Sequence, residues 1–466
     1  MRRRLRRHWP HDRGATDAKH LAKRRRRPAP KHAAKRRRTS APRWRSPHLT
    51  AVVWGFVSQA AYSANNFGLS VLAARAAGPS GLGSVFAGFS AYLIALGFQR
   101  SLLTDPLVAV STRLRPEPRL AATRATLSLA VLYGLGASAL LVVAGSLLPG
   151  GTGDGLVFVA PWLVPALLRD VWRVVLFRDQ RGGAAALNDC TCLLVMLAFA
   201  PLALAFHSAA LALACWGAGA VAGSLLGFLQ CRYGPARLTV SLSWWRAEAW
   251  TLGRLLGSAS LIYTLGSQGF VFVLALLVGT RDLGGLRAVQ SVFAPLSMLG
   301  PALALPGLPA VARRLRAGRA AALSLSTRIS LLCFVLTVAY VIFAAVFGSG
   351  LLASVFGSGF AGFDGLVWPV AMGQLAIAPM LGFGMLLTAE RRGAAIVVAE
   401  TAAAVVTLGL GTALALHDGI TGAAWAMALA SAVGGAVLLV TAMHAPSGHE
   451  ADREHSAEPR HETAMQ

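Results

Sequence analysis

Between residues 50 and 443 the chain is a succession of long apolar runs separated by short polar breaks. Twelve runs can be placed, at 50–76, 82–110, 125–148, 155–177, 184–206, 208–231, 252–279, 285–311, 325–348, 364–388, 393–416 and 420–443. A helix needs about 20 apolar residues to cross the hydrocarbon core of a bilayer, and each run meets that length. Only a helix satisfies its own backbone over such a run without water. The pattern therefore predicts an all-α polytopic membrane protein of about twelve transmembrane helices.

The breaks differ in charge, and the difference alternates. On one side they carry Arg113, Arg115, Arg119 and Arg124, then Arg178 and Arg181, then Arg232, Arg237 and Arg246, then Arg313, Arg314, Arg316 and Arg319, then Arg391 and Arg392. On the other side, LPGGTGDG (148–155), the turn at His207, GSGLLASVFGSG (348–359) and HDGITG (417–422) hold no Lys or Arg. Basic loops stay cytoplasmic, so the arginine-rich side is expected inside, with both termini returning there. Arg281, between the seventh and eighth runs, and nearby Arg287 break the alternation.

An echo divides the chain in two. Gly78-x-x-x-Leu82-Gly83 recurs as Gly279-x-x-x-Leu283-Gly284, 201 residues later, each time between the first two spans of a half. This fits parallel repeats related by an axis along the membrane normal. The expected organisation is a basic arm (1–47), a six-helix lobe (48–231), a linker (232–250), a second six-helix lobe (251–444) and a polar tail (445–466). Trp244, Trp245 and Trp250 suit the linker to the membrane interface. Pro295, Pro301, Pro306 and Pro309 predict a bent eighth span, either a gating element or a static kink.

Composition sharpens the ends of the chain. Of the 466 residues, 55% are hydrophobic and 14% charged, against about 25% charged in soluble domains. The net charge is +25. Residues 1–47 hold 19 Lys/Arg against 2 acids, and 445–466 hold 2 Arg against 5 acids. So dense a basic arm stays extended and unfolded. It suits anionic lipid headgroups, or it precedes the true start of translation; with only Trp9 and Trp44 to stack on bases, nucleic acid is an unlikely partner. Cys190, Cys192, Cys215, Cys231 and Cys333 lie in or beside apolar runs without metal-ligand spacing, as small packing residues do. No phosphate-binding glycine loop, metalloprotease helix or nucleophile elbow is present in the sequence. The expectation is a protein that is not an enzyme and uses no cofactor.

The chemistry sits in the polar residues inside the spans. Arg169, Asp170 and Arg173 share about one turn of the fourth span, Arg100 and Asp105 lie in the second, and Asp189 in the fifth. Arg169 and Arg173, four apart, share a face. Their planar forks suit a pyrophosphate, or they neutralise the neighbouring aspartates and pin helices together. Gln59, Asn65, Asn66 and Gln268, on the first span of each lobe, suit sugar hydroxyls or interhelical hydrogen bonds. Asp105, Asp170, Asp189 and Glu400 are the candidate sites for a coupling ion. Arg75, near the far end of the first span, is expected to snorkel to that interface.

One stretch carries a resemblance. Asn66-Phe67, Ala73-Ala74-Arg75, Gly78-Pro79 with Gly83, Gly97-Phe98-Gln99-Arg100 and Leu103-Thr104-Asp105-Pro106 together resemble the first two helices of bacterial polysaccharide exporters. These form the O-antigen and teichoic-acid flippase branch of the multidrug/oligosaccharidyl-lipid/polysaccharide (MOP) superfamily. The resemblance implies two six-helix lobes around a central cavity. It also implies an undecaprenyl-pyrophosphate-linked glycan as substrate, flipped across the bacterial cytoplasmic membrane by alternating access, with membrane lipid and glycan-assembly enzymes as partners. The alternatives are a multidrug or metabolite cation antiporter of the same fold, which would favour acids over arginines in the cavity, and a non-transporting scaffold acting through the basic arm.

Overall fold

The computed structural model describes residues 47–111, 114–254 and 264–444. The polar tail and all of the basic arm but Pro47 lie outside them. Every regular element among the described residues is a helix. Eight are long and apolar enough to cross a membrane, and two of these double back on themselves.

The first is α1 (Pro47–Gln99), interrupted at Gly78 with φ 64° and ψ −165°. A Cβ on Gly81 would lie 3.9 Å from the Ala73 carbonyl, whereas eight residues of straight helix span about 12 Å. The chain therefore reverses at Gly78, where a positive φ suits only glycine and Pro79 starts the returning arm. The last helix, α15 (Gly393–Met443), reverses likewise at Gly419 (φ 60°). The polar breaks are thus shorter than the hydropathy suggested: HDGITG contains a one-residue reversal, and only Leu148 and Pro149 of LPGGTGDG stay outside helix.

Between these hairpins the order is α2 (Asp105–Ser111), α3 (Pro116–Leu147), α4 (Gly150–Arg178), α5 (Gly182–Ala205), α6 (Ala209–Cys231) and the linker helix α7 (Leu238–Trp244). There follow α8 (Phe270–Leu277), α9 (Gly279–Val292), α10 (Ala294–Ser297), α11 (Leu299–Arg316), α12 (Arg319–Phe356), α13 (Val367–Ile377) and α14 (Met380–Ala389). With the two reversals, and the α8 and α9–α11 crossings, the chain makes about twelve passes. The sequence GSGLLASVFGSG, expected as a loop, instead extends α12 to Phe356, because Leu352 and Phe356 are buried in the core. The eighth span is broken at Phe293 and Met298 on either side of Pro295, whose missing N–H cannot continue the ladder.

A second proline shapes the other half. Pro106 supplies no amide to the Leu102 carbonyl, and the helix widens to a π turn over Arg100–Thr104. The indole Nε1 of Trp245, from the linker, donates to that Leu102 carbonyl at 3.0 Å. Trp245 also packs on Trp250, with ring centroids 4.8 Å apart. The linker is thereby tied to the second span through a group the proline left free.

The repeat extends beyond the glycine echo. Asp179-x-Arg181-Gly182 and Glu390-x-Arg392-Gly393 stand 211 residues apart. The residue inside each motif has positive φ, 57° at Gln180 and 59° at Arg391. In each, the arginine Nη1 donates at 2.9 Å to a carbonyl near the end of the sixth or last helix, Gln230 for Arg181 and Thr441 for Arg392. Helix-end carbonyls lack intrahelical donors, so each arginine caps the closing helix of its own half.

Glu390 is buried and takes Arg319 Nε at 2.8 Å and Arg392 Nη1 at 3.7 Å. Glu390→Ala should remove the shared carboxylate and lower stability by about 1 kcal/mol, since Arg319 keeps the Ala442 and His444 carbonyls and Arg392 that of Thr441. Asp179→Ala should cost about the same, because Arg178, which Asp179 pairs at 2.9 Å, likewise keeps another partner, the Thr123 hydroxyl at 2.9 Å. Thermal unfolding of the purified protein in detergent measures both.

Candidate functional site

Two polar clusters lie within the helical body, and they solve the problem of buried charge in different ways. The first joins α1, α4 and α5. Arg100 grips Asp170 with two bonds, Nε to Oδ2 at 3.0 Å and Nη2 to Oδ1 at 2.5 Å. Arg169 Nη2 donates to Asp189 Oδ1 at 2.7 Å, and Arg173 Nε to Asp189 Oδ2 at 3.0 Å. The Ser58 hydroxyl also donates to Asp189, and Arg173 Nη2 reaches Gln59 Oε1 at 3.3 Å. Both guanidiniums lie by the Tyr62 ring, Arg169 at 5.5 Å and Arg173 at 5.2 Å from its centroid.

Helical geometry explains the pairing. Arg169 and Arg173 share one face of α4 and converge on a single carboxylate of α5. Asp170, turned about 100° away, meets Arg100 from α1's returning arm. Asp189 is 1% exposed and Arg169 4%; ions buried to this degree persist only when paired. The three arginines expected to face a ligand each contact an aspartate, with Asp170 and Asp189, considered for ion coupling, as the counter-ions; three guanidiniums share two carboxylates, so the cluster keeps a net charge of +1.

The remaining candidates of the first half scatter. Asn65 is buried with its Oδ1 unpartnered. Asn66 is half-buried, and its main-chain carbonyl accepts the Ser70 hydroxyl at 3.2 Å. Asp105 is exposed at the start of α2.

The second cluster lines a cavity of about 550 Å³. Its walls come from the second half of the chain, with Phe86 and Leu93 contributed by α1's returning arm. Arg287, Gln268, Gln290, Gln374, Glu400 and Ser431 are among its polar groups. Two of these, Gln268 and Glu400, were candidates from the sequence, and the structure brings them to one space. Gln268 Oε1 is buried without a hydrogen-bond partner.

Arg287 was not a candidate. Its guanidinium lies over the Phe86 ring, 4.5 Å from the centroid. Among the described residues no carboxylate stands within ion-pair distance of it. It is eight residues beyond Gly279, about 12 Å along the helix and so well inside the membrane depth. The sequence did carry a signal for it: Arg287 and Arg281 were the arginines that violated the loop-charge alternation. An arginine that breaks the topology rule is a candidate for the interior rather than for a loop.

No protein-family model matches the chain, and no curated protein matches it. Solved structures do. A lipid II flippase, MurJ, in an inward closed conformation superposes with a TM-score of 0.65 at 12% identity, covering 84% of this chain and 88% of that one. An inward-facing multidrug resistance MATE family transporter of the MOP superfamily gives 0.61 at 13% identity over 87% and 99%. A MOP superfamily transporter from Pyrococcus furiosus, whose binding pocket is described as of reverse polarity, gives 0.52 at 14% over 85% and 95%. The chain is a polytopic membrane protein with the fold of the MOP-superfamily transporters.

Proposed function

We propose that this protein is a flippase that carries a polyprenyl-pyrophosphate-linked oligosaccharide across the bacterial cytoplasmic membrane by alternating access. The observation that carries the reading is Arg287, a guanidinium without a carboxylate partner, facing a cavity lined by three glutamines. A cation at membrane depth without a counter-ion marks the place where an anion is received. The planar fork offers parallel hydrogen bonds to phosphate oxygens, and Gln268, Gln290 and Gln374 offer amide donors and acceptors to hydroxyls. A cavity of about 550 Å³ falls within the usual range for small-ligand sites. It admits a headgroup, while the polyprenyl chain stays in lipid.

In this reading the arginine-rich face is cytoplasmic, as are both termini, and the face carrying Gly78 and Gly279 is outside. Arg100, Arg169 and Arg173 hold the first lobe in shape. Gln59 and Ser58 belong to that network through Arg173, and Asn65, Asn66 and Asp105 remain outside the substrate path. Glu400 shares the cavity with Arg287 and is the candidate for ion coupling. That acid is also the observation favouring a cation antiporter of the same fold, but a cationic drug would have to enter beside an unneutralised guanidinium. Anionic lipid at the basic arm and glycan-assembly enzymes at the cytoplasmic face are the expected partners.

Arg287→Ala should reduce translocation of a labelled polyprenyl-pyrophosphate sugar in proteoliposomes by tenfold or more, on the order of 1.4 kcal/mol of lost contact. Thermal stability should hold or rise, since an unpaired buried charge is removed. Arg287→Lys should keep part of the activity, having the charge without the fork. Unchanged flipping by Arg287→Ala, with cation efflux that depends on Glu400, would favour the antiporter.

Asp189→Ala should behave oppositely. It leaves Arg169 and Arg173 without a counter-ion and should cost about 3 kcal/mol of stability, read as an early thermal transition in detergent. Loss of transport without loss of stability would place those arginines in the substrate path instead.

A further inference from the structure

The two halves meet along α1 and α9, and the contact has the reciprocity of a twofold. Any Cβ on Gly83 would overlap the Thr280 carbonyl oxygen, and any Cβ on Gly284 would overlap the Pro79 carbonyl oxygen. Thr280 is Pro79 displaced by 201 residues, and Gly284 is Gly83 displaced by the same number. The glycine echo is therefore a self-complementary seam, with the backbones of the two repeats in direct contact and no side chain between them. It closes the face on which Gly78 and Gly279 reverse the chain.

Beside this seam lies a contact that the repeat does not duplicate. Arg75, on the outgoing arm of α1, donates from Nε to the Val355 carbonyl at 2.8 Å and from Nη2 to the Ser354 carbonyl. These carbonyls belong to the last turn of α12, which ends at Phe356. The last four carbonyls of a helix have no intrahelical donors, and that end carries partial negative charge. The guanidinium supplies both donors and countercharge across the boundary between the repeats. Phe67, about two turns earlier on α1, packs edge-on against Phe356 with ring centroids 6.2 Å apart. The position equivalent to Arg75 in the second repeat is Leu276, so the contact is made from one side only.

We propose that Arg75 is the latch of the gate on this face: it holds the end of α12 against α1 and thereby stabilises the state in which the glycine seam is closed. Opening this face requires α1 and α12 to separate, which breaks both Arg75 bonds. At the glycines the seam is backbone against backbone, with Arg287 stacked on Phe86 further along the same pair of helices, and the latch adds a polar tie that biases the equilibrium between closed and open. The inference rests on the alternating-access reading but not on the identity of the substrate.

The test is maleimide labelling of a reporter cysteine in the seam. Ser84→Cys serves, since Ser84 is buried there and its hydroxyl lies against Gly151. It is introduced into the full chain with Cys190, the partly exposed native thiol, changed to Ser. In proteoliposomes exposed to maleimide on both sides, the reporter should label slowly. Arg75→Ala should raise the rate about two- to fivefold, the range expected for losing a cation at a helix C-terminus, and Arg75→Lys should lie between. Gly284→Ala should raise it by wedging the seam, and Arg75→Ala should add little to that variant. A rate that rises with Gly284→Ala but not with Arg75→Ala overturns the latch, as does a rate that neither variant moves. If Arg75→Ala does not fold, Arg75→Gln and Arg75→Lys decide by the same readout. Faster labelling by Arg75→Ala in a protein that moves no polyprenyl-linked sugar leaves the latch standing and removes only the substrate assignment.

Discussion

A guanidinium in or beside the membrane is met by a carboxylate, an aromatic face, a free carbonyl or a ligand, and the arginines described above meet that demand in different ways. Arg100, Arg169 and Arg173 take two aspartates between them and tie three helices into one block. Arg181 and Arg392 take the free carbonyls of helix ends, and Arg75 takes those of a helix in the other half. Arg287 has an aromatic face and an open cavity. Burying an ion pair contributes little net stability, while removing one partner costs several kcal/mol. The paired arginines tie particular helices together, whereas Arg287 has no carboxylate within ion-pair distance among the described residues.

Repetition and its failures carry the second theme. The acid-x-Arg-Gly turns repeat with the same backbone and the same bond, and the Gly83 and Gly284 contacts mirror each other. These shared features build the two halves and the seam between them. The features without a counterpart are those associated here with function. The aspartate network lies in the first half, the cavity with Arg287 in the second, and Arg75 faces a leucine position in the repeat.

The helix-breaking residues show how local chemistry is put to tertiary use. Pro106 frees the Leu102 carbonyl, and Trp245 of the linker occupies it. Pro295 breaks the eighth span just after Arg287, so the arginine sits on the straight segment that begins at Gly279. In both cases a residue that disrupts the ladder marks where another segment is anchored or redirected.

Hydropathy and apolar run length determined the class of the protein and the approximate number of passes, because bilayer thickness and backbone satisfaction impose a length that any sequence must display. The short reversals at Gly78 and Gly419 were legible as breaks but not as one-residue turns, since that depends on which helices then pack together. Partnership was not legible at all. Nothing in the spacing of Arg169 and Arg173 says that Asp189 waits on the next helix, nor that Arg287, noticed only as a breach of the loop rule, is left facing a cavity. Charge at membrane depth is a property of the residue type, but whether it is neutralised depends on side chains brought near it from distant parts of the chain, and only the fold decides that.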